Sequence, residues 1–194
     1  MELKERLDVF KNELKLIANK KIKDFTIACI NAAPDYVFED CPSSSSGKFH
    51  PVDELCADGT IIHTKRVFTV AYELSRGLDC ENSRDEICAA ALLHDLAKQG
   101  LVSKGHTVKD HPQIMAKLAA DVYNDGFKSI LDKNSANIIY WSIFYHYGPW
   151  HSDIATKKPI TMYTPEELCV YTSDYVASKR FISVDHIRKE GLSV

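Results

Sequence analysis

The sequence predicts an all-α fold in a single compact domain, on three observations. Apolar residues recur at helical spacing along most of the chain, capping residues stand at the ends of several of those stripes, and no useful length alternates as a strand would. The first stripe is Leu3, Leu7, Phe10 and Leu14, an N-terminal helix whose apolar face suits either the core or a second subunit. From about Pro34 to Gly59 the chain is punctuated by Pro and Gly and carries Cys41-Pro42-Ser43-Ser44-Ser45-Ser46-Gly47-Lys48, a loop longer than a simple connection needs. His63, Val67, Val70, Ala71 and Leu74 form the next helical face, with Gly77 placed as its C-terminal cap. Ser83-Arg84-Asp85-Glu86 reads as a capping box that opens a helix through Ile87, Ala90, Ala91 and His94. His111, Ile114, Met115, Leu118, Ala119 and Val122 make a third stripe, and Ile139, Ser142, Ile143 and His146 a fourth that stops at Gly148-Pro149. Thr164-Pro165-Glu166-Glu167 is a second capping box, with proline at the first helical position, and its helix carries Val170, Tyr171 and Asp174. The chain therefore divides into an N-terminal helical extension with its loop (1–59) and a helical core (60–194).

Composition narrows the function classes. With 194 residues, 45% apolar and 26% charged, the chain suits one soluble domain. A net charge of −3 supplies no basic field, so stable binding to nucleic acid is not expected. No apolar run approaches the ~20 residues of a membrane span, and the mixed-charge start lacks a signal-peptide core, so a cytosolic protein is expected. The six cysteines show no Cys-x-x-Cys spacing and read as free thiols in a reducing compartment.

The chemistry lies in which polar residues interrupt the apolar faces. His63, His94, His111, His146 and Asp174 each occupy the inward side of a different helix, and Asp95 adjoins His94. One inward histidine is ordinarily a hydrogen-bonded core residue. Six such groups buried separately would pose six desolvation problems, whereas convergence on divalent cations solves them together.

In order and context, His63, then His94-Asp95, then Asp174 resemble the H…HD…D pattern of the HD-domain superfamily of metal-dependent phosphohydrolases, over about residues 60–182. The string Ala89-Ala90-Ala91-Leu92-Leu93-His94-Asp95-Leu96-Ala97-Lys98 is close to the usual form of that motif. The resemblance implies a helical HD-type core in which His63, His94, Asp95 and Asp174 bind one metal. His111 and His146 look like the ligands of the subgroup that holds a second, with Asp95 bridging. Tyr171 to Arg180 is similar to the last motif of small di-iron HD hydrolases that split dinucleoside polyphosphates. The Ser-rich loop departs from that subgroup and looks more like the loop of phage and bacterial HD proteins.

On this reading the cofactor is a pair of divalent ions, iron or manganese ahead of magnesium, zinc, cobalt or nickel. Two such ions about 3.5–4 Å apart lower the pKa of a shared water toward neutrality and so supply hydroxide for attack on phosphorus. Asp95 suits a bridge because its two oxygens can reach both ions. Lys98, four residues past His94 and so on the same helix face, is placed to meet a phosphoryl oxygen; the plain alternative is a solvated lysine at a helix end. The substrate is a small phosphorylated molecule, a nucleotide by resemblance.

Other residues fall near the site without being diagnostic. Ser46 and Lys48 belong to a loop that is either a phosphate cradle or simply solvated, and it lacks the Gly-Lys-Ser/Thr of a P-loop. His50, Lys65, Arg66 and Arg180 are candidates for substrate contact. His106 competes with His111, whose helical stripe is complete; His151 reads as pocket rim and His186 as a bystander. Tyr145, Tyr147 and Trp150 crowd His146 as packing or as a place for a base to stack. Two other functions share the same ligands: a mixed-valent di-iron oxygenase, and a non-catalytic module that binds a nucleotide.

Overall fold

A computed structural model describes residues 2–180 and 182–184. Nine α-helices follow one another, with no strand among the described residues: α1 (Leu3–Val9), α2 (Lys11–Leu16), α3 (Lys20–Ala32), α4 (Tyr36–Glu39), α5 (Gly59–Gly77), α6 (Arg84–Leu93), α7 (His111–Val122), α8 (Lys133–Tyr145) and α9 (Pro165–Ala177). The middle of the molecule is α6. Ile87 through Leu93 are completely buried, so this helix is apolar on all sides, as a helix surrounded by others must be. It packs against α5, α8, α3 and α9, while α5 lies along α9 and α7 along α8. One apolar cluster runs continuously from Phe10 through Phe25, Phe68 and Leu92 to Ile139 and Val170. No helix among the described residues is long and apolar enough to cross a membrane. All six cysteines are free thiols, and only Cys56 is exposed.

Several local expectations are corrected. The N-terminal helix is two helices broken at Phe10, whose ring is fully buried at the break. Its face turns to this chain's own core. Arg6, beside Leu7, is buried and donates to the carbonyls of Ile30 (3.4 Å), Asn31 (3.1 Å) and Ala33 (2.7 Å), filling acceptors that the end of α3 leaves open. Gly77 is still helical, and the left-handed residue that ends the turn is Asp79 (φ 56°), a residue type that tolerates that region. The box at Ser83 does not form: Ser83 donates to Glu166 (3.0 Å) and Glu86 accepts from Ser135 (2.6 Å). The box at Thr164 does form, with Glu167 N donating to Thr164 Oγ1 (3.3 Å) and Thr164 N to Glu167 (3.0 Å).

Two features bear directly on function. The helix α6 stops at Leu93, and the chain from His94 continues in tight three-residue turns (Leu96 N to Leu93 O 3.1 Å, Lys98 N to Asp95 O 3.0 Å, Gly100 N to Ala97 O 2.8 Å). The phenol of Tyr36 pins this turn, donating to Gly100 O and accepting from Gln99 N, each at 2.8 Å. The long loop is also folded rather than loose. Cys41 N bonds Ala57 O (2.7 Å), Thr60 N bonds Cys41 O (2.8 Å) and Ser43 N bonds Glu54 O (2.9 Å), laying residues 41–57 against the start of α5.

Candidate metal centre

Helix ends build the site. His94 caps the C-terminus of α6, His146 caps that of α8, His111 is the first residue of α7, His63 sits in the first half of α5 and Asp174 in α9. All four histidines and Asp95 are buried. Asp95 stands between them. Its Oδ2 faces His94 Nε2 (3.4 Å) and His63 Nε2 (3.9 Å), and its Oδ1 faces His111 Nε2 (3.1 Å) and His146 Nε2 (3.7 Å). Asp174 Oδ1 lies 2.9 Å from His63 Nε2. The carboxylate of Asp95 thus divides the histidines into two pairs, one joined by Asp174.

The backbone sets the tautomers. His94 Nδ1 donates to Ala91 O (2.8 Å), His111 Nδ1 to Val108 O (2.6 Å) and His146 Nδ1 to Ile143 O (2.7 Å). A carbonyl can only accept, so each Nδ1 carries a proton, and each ring, when neutral, turns an Nε2 lone pair inward. This is the arrangement in which a protein orients metal-binding imidazoles. The Nε2 atoms of His111 and His146 stand 3.2 Å apart, so that with both rings neutral two lone pairs face each other, an arrangement a cation satisfies. The Nε2 of His94 and the Oδ1 of Asp95 are buried without hydrogen-bond partners, and such groups are costly unless a ligand satisfies them. His63, His94 and Asp174 bring their ligand atoms within 4.8 Å of one another, and so do His94, Asp95 and His146. These residues fit divalent metal.

Glu54, which sequence reasoning missed, anchors the fourth histidine. It is buried on a turn of the long loop, with Oε2 3.2 Å from His63 Nδ1 and 2.8 Å from His50 Nδ1, while Oε1 accepts from Arg66 (2.6 Å). His50-x-x-x-Glu54 was the available signal, hidden in a stretch with no periodicity. The field among these groups is strong. Burial would raise the Asp95 carboxyl, but the Lys98 ammonium and the histidines around it hold it well below the usual range. Lys98 is buried by the same turn and kept charged by its ion pair with Asp95. Burial would also raise Asp174, and the hydrogen bond to His63 outweighs it. Glu54 opposes burial through His50, His63 and Arg66, and falls to about 2. His63, which burial alone would lower, is carried to about 9 by Asp174 and Glu54.

These shifts predict a pH dependence for the metal-free protein. The raised His63 stabilises fully below its ordinary 6.5 and loses that contribution as pH rises through about 9. The lowered Glu54 stabilises above its ordinary 4.5 and loses its contribution as pH falls toward about 2. Thermal melts in chelator should therefore show Tm falling from pH 6.5 to 9, with the slope reduced in His63→Gln. Metal that takes His63 Nε2 must displace its proton, so binding at pH 7 should release protons, measurable by calorimetry in buffers of different ionisation enthalpy.

A cavity of about 210 Å³ opens onto the centre, with Asp95, Lys98, His111, His146 and Asp174 in its floor and Tyr147, Trp150, Tyr171 and Tyr175 in its walls. Of the loop candidates, His50 lines it together with Phe49, and Ser46 and Lys48 do not. The phosphate-cradle reading is corrected here: Gly47 N bonds Ser44 Oγ (3.1 Å) and Lys48 N bonds Ser46 Oγ (3.5 Å), so these loop donors turn inward on the loop itself. Lys98 lines the cavity from a tight turn rather than a helix face, and as a buried ion pair rather than a solvated lysine. Lys65 is drawn to Glu13 (3.1 Å), and Arg66 to Asp53, Glu54 and Val184 O; neither lines the cavity. Arg180 donates to His50 O (3.0 Å) and Gly47 O, holding the loop against the end of α9. His106 is exposed and bonded to Lys104 O (2.8 Å). His151 is buried against Phe144 and Tyr145, bonded to Thr156 (3.0 Å), and away from the cavity lining. Tyr145 donates to Thr156 O and packs beside it. His186 lies outside the described residues.

Comparison with known families agrees with this geometry. Neither the curated proteins nor the solved structures contain a match to this chain. The family model of the HD domain matches residues 60–179, a span that holds His63, the His94-Asp95 pair, His111, His146 and Asp174. This chain belongs to the HD-domain family.

Proposed function

We propose that this protein is a metal-dependent phosphohydrolase with two divalent ions, cleaving a phosphate ester or anhydride of a small molecule, a nucleotide ahead of other candidates. The observation that carries the reading is the division of four inward imidazole Nε2 atoms by the two oxygens of Asp95. His63, His94 and Asp174 would hold one ion, His111 and His146 the other, with Asp95 shared. Bound there, divalent ions supply Lewis acidity toward phosphoryl oxygens and a water of lowered pKa.

The chain's own residues account for the rest. Backbone carbonyls and Glu54 lock the imidazoles, so the ligand set costs little reorganisation when it binds. Lys98 keeps its charge in a buried place at the cavity floor, where a cation counts for far more than in water. A phosphoryl oxygen arriving beside Asp95 would find that ammonium within reach and could share it.

Elemental analysis of purified protein, and phosphate release from a nucleotide panel with Mn²⁺ or Fe²⁺, test the proposal. About two metals per chain and metal-dependent phosphate release are expected. Oxygen consumption that requires iron, without phosphate release, would indicate oxidative chemistry at the same ligands. Less than one metal per chain after reconstitution would end the two-metal reading.

A further inference from the structure

The metal-side chemistry occupies the floor of the cavity and leaves its mouth unexplained. Trp150 and Tyr175 stand there half-exposed, at 57% and 43%, two large rings in water with no role in the core. Their planes lie within 12° of parallel, with centroids 6.4 Å apart. Lys179 rests its ammonium 3.6 Å from the centroid of the Tyr175 ring, and Tyr171 tilts against the same ring at 6.2 Å, so Tyr175 is braced. Trp150 follows Gly148, whose φ of 56° turns the chain directly against Tyr171. The two rings therefore come from different elements, the turn after α8 and the helix α9, and each is held from behind.

What the mouth lacks is equally informative. Discrimination between base edges relies on side chains free to present a donor or acceptor pattern: Asn, Gln, Arg, Lys, or an uncommitted carboxylate. Among the described residues the lining contains no Asn, Gln or Arg; of its two lysines Lys98 is paired with Asp95 and Lys179 lies over the Tyr175 ring, and its two carboxylates, Asp95 and Asp174, are committed to the histidines. The hydroxyls of Tyr147, Tyr171 and Ser178 rotate to donate or accept and so do not impose one edge pattern.

We infer that Trp150 and Tyr175 hold the planar base of a nucleoside phosphate by its face, so that the site selects for a base but not for one particular base. This rests on the phosphohydrolase reading for the position of the phosphate, over the floor formed by Asp95 and Lys98. Stacking follows ring area, so purines bind more tightly than pyrimidines, and all four common bases are accepted.

The test uses the chain's own reporter. There are two tryptophans, so in a Trp141→Phe background the emission belongs to Trp150. Mg²⁺-loaded protein is titrated with AMP, GMP, CMP, UMP and ribose 5-phosphate, read in the first seconds after mixing. Saturable quenching by all four nucleotides is expected, with AMP and GMP a few-fold tighter and ribose 5-phosphate at least about tenfold weaker than AMP. By calorimetry, Trp150→Ala should collapse the difference between AMP and ribose 5-phosphate, and Trp150→Phe should retain most of it. Equal affinity for AMP and ribose 5-phosphate overturns the inference, as does a preference above a hundredfold for one base. Base-dependent quenching without hydrolysis of any substrate would leave the stacking platform standing and remove the hydrolase reading. Hydrolysis without base-dependent binding would do the reverse.

Discussion

Asp95→Ala should abolish metal-dependent phosphate release, by at least about a thousandfold, and reduce bound metal from about two per chain to less than one. Among the described residues no other side chain faces all four inward imidazole nitrogens, and its two oxygens serve the two pairs separately. Removing it also strips Lys98 of its counterion in a buried position. Breaking a buried pair on one side costs roughly 3–5 kcal/mol, so lost activity alone could reflect a weakened fold. A double variant separates the two. In Asp95→Ala/Lys98→Met the unpaired charge is gone, and most of the thermal stability should return while phosphate release does not. Elemental analysis, melting curves and rates on the three proteins decide it. A single variant that keeps two metals and works within tenfold of the parent would remove Asp95 from the centre of the site.

Gly59→Ala should destabilise the protein by about 3 kcal/mol or more, from overpacking against backbone that has no side chain to move aside. A Cβ built at Gly59 would lie 1.9 Å from Glu54 O, 2.6 Å from Glu54 C and 2.9 Å from Ser43 N. For a chain of this size such a change lowers Tm by roughly 6–12 °C. The segment that must give way carries Glu54, so the damage reaches the metal site through His63. Metal affinity should fall about 10- to 100-fold, the usual consequence of losing an outer partner of a metal-binding histidine. The matching control is Gly77→Ala in the same helix, where a Cβ meets nothing within 4 Å. That change should be neutral or stabilising by a few tenths of a kcal/mol. If the two substitutions alter Tm equally, the close approach at Gly59 is not what holds the loop.

The contrast between two similar strings shows how far local sequence reaches. Ser83-Arg84-Asp85-Glu86 and Thr164-Pro165-Glu166-Glu167 carry the same capping pattern, yet only the second closes on itself. In the first, three of the four polar members are taken by distant partners: Ser83 by Glu166, Asp85 by the backbone of Ala18 and Asn19, Glu86 by Ser135. A cap is worth about 1 kcal/mol, which a tertiary hydrogen bond readily matches. The loop around Ser43 to Lys48 illustrates the opposite difficulty. Nothing periodic marks it, but the backbone bonds of Cys41, Ser43 and Thr60 lay it against α5 and so bring Glu54 under His63.

From sequence alone came the helices α5 to α9, their inward faces and the six residues that meet at the centre, because helical spacing turns position along the chain directly into side and burial; α3 and α4 were not read from it. The long cationic side chains were decided by tertiary structure. Lys65 went to Glu13, Arg66 to Asp53 and Glu54, and Arg180 to the loop carbonyls, while Lys98 alone of the proposed cations entered the cavity. Such a side chain reaches several ångströms in any direction, and its partner is whichever opposite charge or carbonyl another element brings within range. The tautomers of the histidines and the placing of Trp150 beside Tyr175 were settled the same way, by contacts between elements that no local spacing encodes.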